Sequence, residues 1–302
     1  MSLASITMTR NDWHVLAQWQ EFYRNYAGVA NYHIIVDNAS TPEYKEKLRT
    51  LFPDAVLLER ETNGGTTGAY NTGIKWALEQ NDVDAIMLIA NDIKIDADSV
   101  GALYRRLQSD SSVGAVAPVL LQGDRKTVCA YGEKLNKDFG LNRLQDGCPF
   151  RPEQLPAEQE SDCLPGGMCM VKAEVYRKVG LQDESLFMYM DENEFFLRTR
   201  RAGYCLLALR DAVAAHCHIA VDKGRHNDSG LAFFYIYRNW LLVCRQYASR
   251  WMMFRLFCRL FFLSAPKYTV VFLRDRSFSK IYYLYLGLFS GLLGCRKNFV
   301  SN

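Results

Sequence analysis

An α/β protein with a largely parallel, doubly wound sheet is what this sequence predicts, and three observations carry the expectation. Short runs rich in Ile, Val and Leu alternate with segments of helical period as far as residue 117. Those runs are followed by polar or small residues, as strands of an open α/β sheet are where they meet a ligand cleft. Charge is divided unevenly: residues 236–302 hold 11 Lys and Arg against one acid, net +10, which leaves 25 against 32, or −7, for residues 1–235. A slightly acidic sheet domain followed by a basic, aromatic, mainly helical appendage is the expected organisation.

Strands are expected over 3–8, 33–36, 55–58, 85–89 and 113–117. Helices are expected over 15–26, where Leu16, Trp19 and Tyr23 recur at i, i+3 and i+7, and again over 69–78 and 99–107. Beyond Pro118 the rhythm breaks, and 122–163, with Gly123, Gly132, Gly140, Gly147 and several prolines, reads as a loop-rich insertion. A second ordered block, 164–209, supplies a strand over 168–171, a helix over 173–179 and an acidic helix opening at Asp191. No internal repeat or low-complexity tract is visible.

With 49% apolar and 23% charged residues, the 302-residue chain is neither disordered nor collagen-like. Its nine cysteines are an odd number with no C-x-x-C pair, which argues against a disulfide framework or structural zinc and fits a reducing cytoplasm. The first residues lack the basic-then-apolar pattern of a secretory leader. The apolar stretch 251–273 is interrupted by Arg255, Arg259 and Lys267, and 281–294 is only 14 residues long. Neither reaches the roughly 18 to 20 uncharged residues expected of a membrane span.

Four strand ends are polar: Thr9-Arg10-Asn11, Asp37-Asn38-Ala39-Ser40, Asn63-Gly64-Gly65 and Asn91-Asp92. Any one of them is ordinary turn chemistry, but four in succession on one sheet edge predict a binding cleft. The glycine-dense stretch 63–73 lets backbone approach a ligand closely, yet it is neither G-x-G-x-x-G nor a P-loop, which removes the best motif for hydride transfer. Asp92, ending a strongly apolar strand, is placed to hold a hard divalent cation, Mg²⁺ or Mn²⁺, that bridges phosphates. Either histidine of His216-Cys217-His218 completes such a shell. Asp191, Glu194 and Arg198 are spaced to share one helix face while Glu192 points elsewhere. Acids in a first helical turn complement the helix dipole, but here Phe187, Met188, Tyr189 and Met190 lead into them, the setting of a partly desolvated base.

Taken in order, these residues resemble glycosyltransferase family 2 enzymes of the GT-A fold, in particular the rhamnosyltransferase-like branch that builds cell-surface polysaccharides. Thr9-Arg10-Asn11 is similar to the family's opening T-x-N, residues 36–41 to its V-D-N-x-S, and 63–73 to its N-x-G-x-x-x-x-x-N-x-G. Asn91-Asp92 stands where the family's metal-binding D-x-D or N-x-D lies. Pro165-Gly166-Gly167-Met168, 179–184 and 191–203 are similar to its acceptor-side block, and Phe234-Tyr235-Ile236-Tyr237-Arg238-Asn239 resembles its Y-Y-x-x-R-N. The likeness covers about residues 3–240. Two departures are an acidic pair written Asp-Glu where Glu-Asp is usual, and Asn91 in place of the first metal-motif acid.

The resemblance implies a GT-A domain over 1–240, with a Rossmann-like, mostly parallel sheet, a nucleotide-sugar half at 1–118 and an acceptor half at 164–240, followed by a helical tail at 241–302. It implies transfer of a sugar, with inversion, from a nucleotide diphosphate donor to a hydroxyl of a glycan or polyprenyl-linked acceptor. Thr9, Asn11, Asp37, Asn38, Asn63, Gly64, Gly65, Asn71 and Asn91 then belong to the donor, Asp92 and His216 to the divalent cation, and Glu192, with Asp191 beside it, to proton removal from the acceptor. A sugar-nucleotide-binding scaffold without catalysis and a nucleotidyltransferase are the rival readings. The tail's mixture of arginines with Trp and Phe points to the cytoplasmic face of an anionic membrane, or to an oligomer interface, rather than to nucleic acid.

Overall fold

The computed structural model describes residues 1–217 and 230–299. Its first half is the expected alternation: β1 (Leu3–Thr9), α1 (Leu16–Arg24), β2 (Tyr32–Asp37), α2 (Pro42–Leu51), β3 (Val56–Glu59), α3 (Gly65–Glu79) and β4 (Ala85–Ile89). These strands lie parallel in the order β3-β2-β1-β4. β1, β2 and β4 are covered on both faces, which is why they read as almost continuous apolar runs. α2 is not among the expected helices because it buries little beyond Tyr44 and Leu48, but it carries its own start signal. Thr41 caps it by accepting from the Tyr44 amide, and Pro42 sits in the first turn.

The sheet becomes mixed beyond β4. After β5 (Ile93–Ile95), α4 (Ala97–Gln108) and β6 (Val113–Gln122), the chain makes an excursion before β11 (Met168–Lys172), which runs antiparallel between β4 and β6. After α5 (Ala173–Val179) and α6 (Asp191–Arg201), β12 (Cys205–His216) lies parallel to β6. The segment expected to be loop-rich is more ordered than that. It contains β7 (Val128–Ala130), a hairpin of β8 (Glu133–Leu135) and β9 (Leu141–Arg143), and β10 (Glu158–Glu160) on the sheet edge beside β12. Three-residue strands are too short to register as an alternating pattern, and cross-strand partners hold them instead.

The tail is helical: α7 (Leu231–Tyr247), α8 (Arg250–Arg259), α9 (Ala265–Arg274) and α10 (Phe278–Leu293). The expected domain boundary at 240/241 falls inside α7, and Leu241, Leu284 and Leu288 join the same buried cluster as Ile6 and Ile34 of the sheet. Gly287 and Gly291 make this packing close, since a Cβ at either would fall within 2.7 Å of a backbone oxygen of α7, that of Phe234 or Arg238. α8 and α9 are joined through a π-helical turn, Leu260–Ser264, into one helix, Arg250–Arg274. Pro266 in the first turn of α9 has no N–H to give, and the wider turn accommodates that gap. By length and composition this 25-residue helix is able to cross a membrane, contrary to the expectation from its interrupting charges, because one 18-residue window carries no more than two of them. Trp251, Phe254, Phe262, Leu263 and Val270 are exposed along it.

Candidate active site

The four polar strand ends converge on one edge of the sheet. Asp37, fully buried at the end of β2, accepts from the Ser40 amide through Oδ2 (3.1 Å), while its Oδ1 is buried without a hydrogen-bond partner among the described residues. An unsatisfied buried carboxylate oxygen is costly unless a ligand supplies a donor. Around it the other predicted residues are largely engaged with each other. Asn38 donates to Asn63 Oδ1 (2.9 Å) and the Gly65 carbonyl (3.1 Å) and accepts from the Gly64 amide (3.0 Å), which fixes the glycine loop to the end of β2. Asn11, at φ 52°, accepts from the Thr41 amide and donates its own N–H to Ser40, joining the first two loops. Asn71 lies apart from this edge: its amide donates to the Gln182 carbonyl and Glu184 and accepts from the Gln182 amide, tying α3 to the loop before the acidic pair.

Much of the glycine-dense stretch proves to be helix, because α3 already begins at Gly65. Gly65 has φ +68°, and a Cβ there would stand 2.1 Å from the Phe187 carbonyl oxygen. Gly73 serves packing: its Cβ would meet Ile6 of β1 at 2.6 Å.

Asp12, which no sequence pattern singles out, is the hub of the next strand end. Its Oδ2 accepts from the Thr9 hydroxyl (3.1 Å), the Arg10 amide (3.3 Å) and the Asn91 side chain (2.9 Å). Thr9 is thereby buried against Asp12 and Tyr44, and Asn91 bridges the first and fourth strand ends. Beside Asn91, Asp92 Oδ2 lies 3.1 Å from His216 Nε2 at the end of β12. Bonds of about 2.1 Å at right angles to one octahedral cation put their donor atoms about 3 Å apart, so this pair fits two adjacent ligands of Mg²⁺ or Mn²⁺. Among the described residues no group of three or more carboxylates, imidazoles and thiolates is gathered for a metal, and His218 lies outside those residues.

Asp191 and Glu192 open α6 on the wall of a cavity of about 740 Å³ that His216 also lines. The chain reaches them through three non-glycine residues at positive φ, Phe187 (67°), Tyr189 (62°) and Met190 (60°), a conformation that costs energy at each. Asn239 of α7 holds this turn by donating its amide to the carbonyls of Leu186, Met188 and Tyr189 (2.7–2.9 Å), and Arg238 donates to that of Ser185 (2.8 Å). Burial pushes both acids above the usual carboxylate range, and Asp191 beside it, then Glu133, raises Glu192 further. Asp191 Oδ2 is buried without a partner among the described residues. Glu194 is differently placed, paired with Arg198 (2.9 Å) and accepting from the Tyr247 hydroxyl (2.6 Å). The loop before β11 closes the gap between the acids and the Asp92–His216 pair. A Cβ at Gly166 would fall 2.5 Å from Glu192 Oε2, and one at Gly167 3.6 Å from the His216 ring.

A strand-end carboxylate beside a histidine, two raised acids across one cavity and a doubly wound edge with an unsatisfied Asp agree with what comparison of sequences finds. The family model described as "Glycosyl transferase family 2" matches residues 6–180, more than half of the chain. The chain belongs to glycosyl transferase family 2. This glycosyltransferase-family chain is 25% identical over 210 residues to the low-salt glycan biosynthesis hexosyltransferase Agl10 of Haloferax volcanii, covering 70% of the chain and 66%, just under two thirds, of that protein. It is 26% identical over 216 residues to the N-acetylglucosaminyl-diphospho-decaprenol L-rhamnosyltransferase of Mycobacterium tuberculosis H37Rv, covering 66% and 70%. Among solved structures, the mannosyltransferase PcManGT of Pyrobaculum calidifontis in complex with GDP-Man and Mn²⁺ superposes with a TM-score of 0.58 over 96% of this chain and 87% of that one, at 14% identity. The fold is GT-A, with a helical region following it.

Three further charged groups of the cavity, Glu133, Arg143 and Asp146, come from the segment read as an insertion. Glu133, buried on β8, pairs with Arg143 of β9 (3.3 Å) and accepts from Asn193 (3.3 Å), and burial pushes it up to about 7. Asp146 and, from α7, Trp240 complete that wall.

Proposed function

We propose that this chain transfers a sugar, with inversion, from a nucleoside diphosphate donor to a hydroxyl of a glycan or lipid-linked acceptor. The observation that carries the reading is that Glu192 and His216, the latter bonded to Asp92, line one cavity, with Gly166 packed against Glu192 and Gly167 against His216. Asp37 receives a donor N–H or O–H of the base or ribose at its unsatisfied oxygen, within the frame set by Asn11, Asn38, Asn63 and Asp12. Asp92 and His216 would hold the divalent cation, which when bound supplies charge neutralisation to the departing diphosphate. Glu192 takes the proton of the attacking hydroxyl as the acceptor oxygen bonds to the anomeric carbon and the bond to the diphosphate oxygen breaks, so a single displacement inverts the centre. The charge of Asp191 keeps Glu192 basic, because a neighbouring carboxylate favours its protonated form, and Asn71, Arg238 and Asn239 hold the loop that presents both acids.

A lipid-linked acceptor is favoured by the tail. Among the described residues most exposed large apolar side chains lie beyond residue 250, interspersed with Arg and Lys, the composition of a helix at a membrane surface. The name of the mycobacterial relative also specifies a diphospho-decaprenol acceptor. We read the chain as peripheral at the cytoplasmic face of an anionic membrane. The test is a panel of nucleotide sugars with Mn²⁺, read as release of nucleoside diphosphate and as the anomeric configuration of the product. Donor-specific release and an inverted product support the reading; no release with any donor, or a retained configuration, overturns it. Binding to anionic vesicles should weaken as salt rises.

A further inference from the structure

Beyond the residues that the transfer reading uses, a cation is stacked on the cavity-lining Trp240 without an ion-pair partner among the described residues. The guanidinium of Arg259, the last residue of α8, lies 5.5 Å above the ring of Trp240, a cavity-lining residue, and makes no ion pair or side-chain hydrogen bond among those residues. It is half-buried, and it reaches the hairpin turn between β8 and β9, where a Cβ at Gly140 would fall 3.2 Å from its Nη1. The contrast with its neighbour one turn earlier is informative: Arg255 is paired with Asp138 of the same turn. Trp240 is itself fixed by its indole N–H, which donates to the Phe139 carbonyl (2.8 Å), so the platform beneath Arg259 is rigid. A partly desolvated guanidinium without a counter-ion is unfavourable, and its fork of donors matches phosphate oxygens. Immediately beyond it, Phe262 and Leu263 are 64% and 68% exposed on the same continuous helix.

We propose that Arg259 binds a phosphate of the diphosphate that links the acceptor's sugar to its lipid, with the sugar reaching inward past Trp240 toward Glu192 and the hydrocarbon leaving along the exposed face of α8 and α9. This rests on the lipid-linked reading of the acceptor above. The same helix that meets the membrane then delivers the charge that recognises the acceptor.

The same phosphate chemistry is offered by lipid headgroups, and the experiment separates the two sources. Binding of farnesyl diphosphate and of uncharged farnesol to the full chain is measured by calorimetry in EDTA, which keeps the diphosphate from the Asp92–His216 pair, together with sedimentation onto phosphatidylglycerol vesicles. Wild type is expected to bind farnesyl diphosphate at least tenfold more tightly than farnesol. Arg259→Ala should lose about tenfold in affinity for the diphosphate and nothing for farnesol, Arg259→Lys should fall between, and vesicle binding should be close to that of wild type. Equal affinity of wild type for the two ligands, or unchanged affinity of Arg259→Ala for farnesyl diphosphate, overturns the proposal. So does a loss confined to vesicle binding, which would assign Arg259 to a lipid headgroup. No turnover is required, so absence of donor turnover in wild type, which would defeat the transfer reading, is recognised separately.

Discussion

Asp92 and His216, 124 positions apart in the chain, meet with Oδ2 and Nε2 3.1 Å from each other at the ends of neighbouring strand segments. If they hold the cation, Asp92→Asn removes a charge with almost no change of shape. Nucleoside diphosphate binding to wild type should tighten at least tenfold when Mn²⁺ is added, and the increment should vanish in Asp92→Asn while the melting temperature changes little. An undiminished Mn²⁺ effect in the variant would refute the assignment.

Burial and the Asp191 charge raise Glu192, and a base works only when ionised, so turnover should rise with pH through a value above the ordinary carboxylate range. Asp191→Asn deletes the neighbouring charge and should move that limb to lower pH. A limb that stays where it was, or moves up, shows that the titrating base is not Glu192 beside an ionised Asp191.

The two glycine substitutions separate function from folding. At Gly166 an added methyl meets the movable end of the Glu192 side chain, so Gly166→Ala should lower turnover by tenfold or more with a small change in stability. At Gly65 the methyl meets backbone at a positive φ, and Gly65→Ala should destabilise the whole fold, by several degrees in a thermal melt. Equal loss of stability in both would contradict the distinction.

Glu133 carries a pH signature in stability. Its folded pKa of about 7 lies above the ordinary 4.5, so the native state holds a proton that the unfolded chain releases. Its contribution is complete below about pH 4.5 and is lost as pH rises toward 7, by an amount of up to roughly 3 kcal/mol. Glu133→Gln should therefore stabilise the protein relative to wild type at pH 8 and make little difference at pH 4. Urea unfolding at the two pH values checks the sign.

What is legible in the sequence is what local pattern can carry. The buried parallel strands stand out as apolar runs, and the polar residues that end them mark the cleft edge by pattern alone. Asp12 and Glu133 are not legible, because they meet partners 79 and 60 positions away, Asn91 and Asn193, and no spacing rule connects residues brought together only by the tertiary fold. The same holds for Arg238 and Asn239: the motif is visible, but not that its donors hold the strained turn before the acids. In the tail, the charges that interrupt the apolar stretch fall on a single helix, whose continuity depends on a π turn that periodicity does not encode.

On the proposed function, Glu192 removes the acceptor proton in a glycosyl transfer. The most direct test of that role is turnover and donor affinity of Glu192→Gln measured side by side with wild type, using the donor and acceptor identified by the nucleotide-sugar panel in Mn²⁺. A fall in kcat of roughly 10²- to 10⁴-fold is expected, with donor affinity unchanged within about twofold. A variant that retains wild-type kcat, or loses activity only through weakened donor binding, would contradict it.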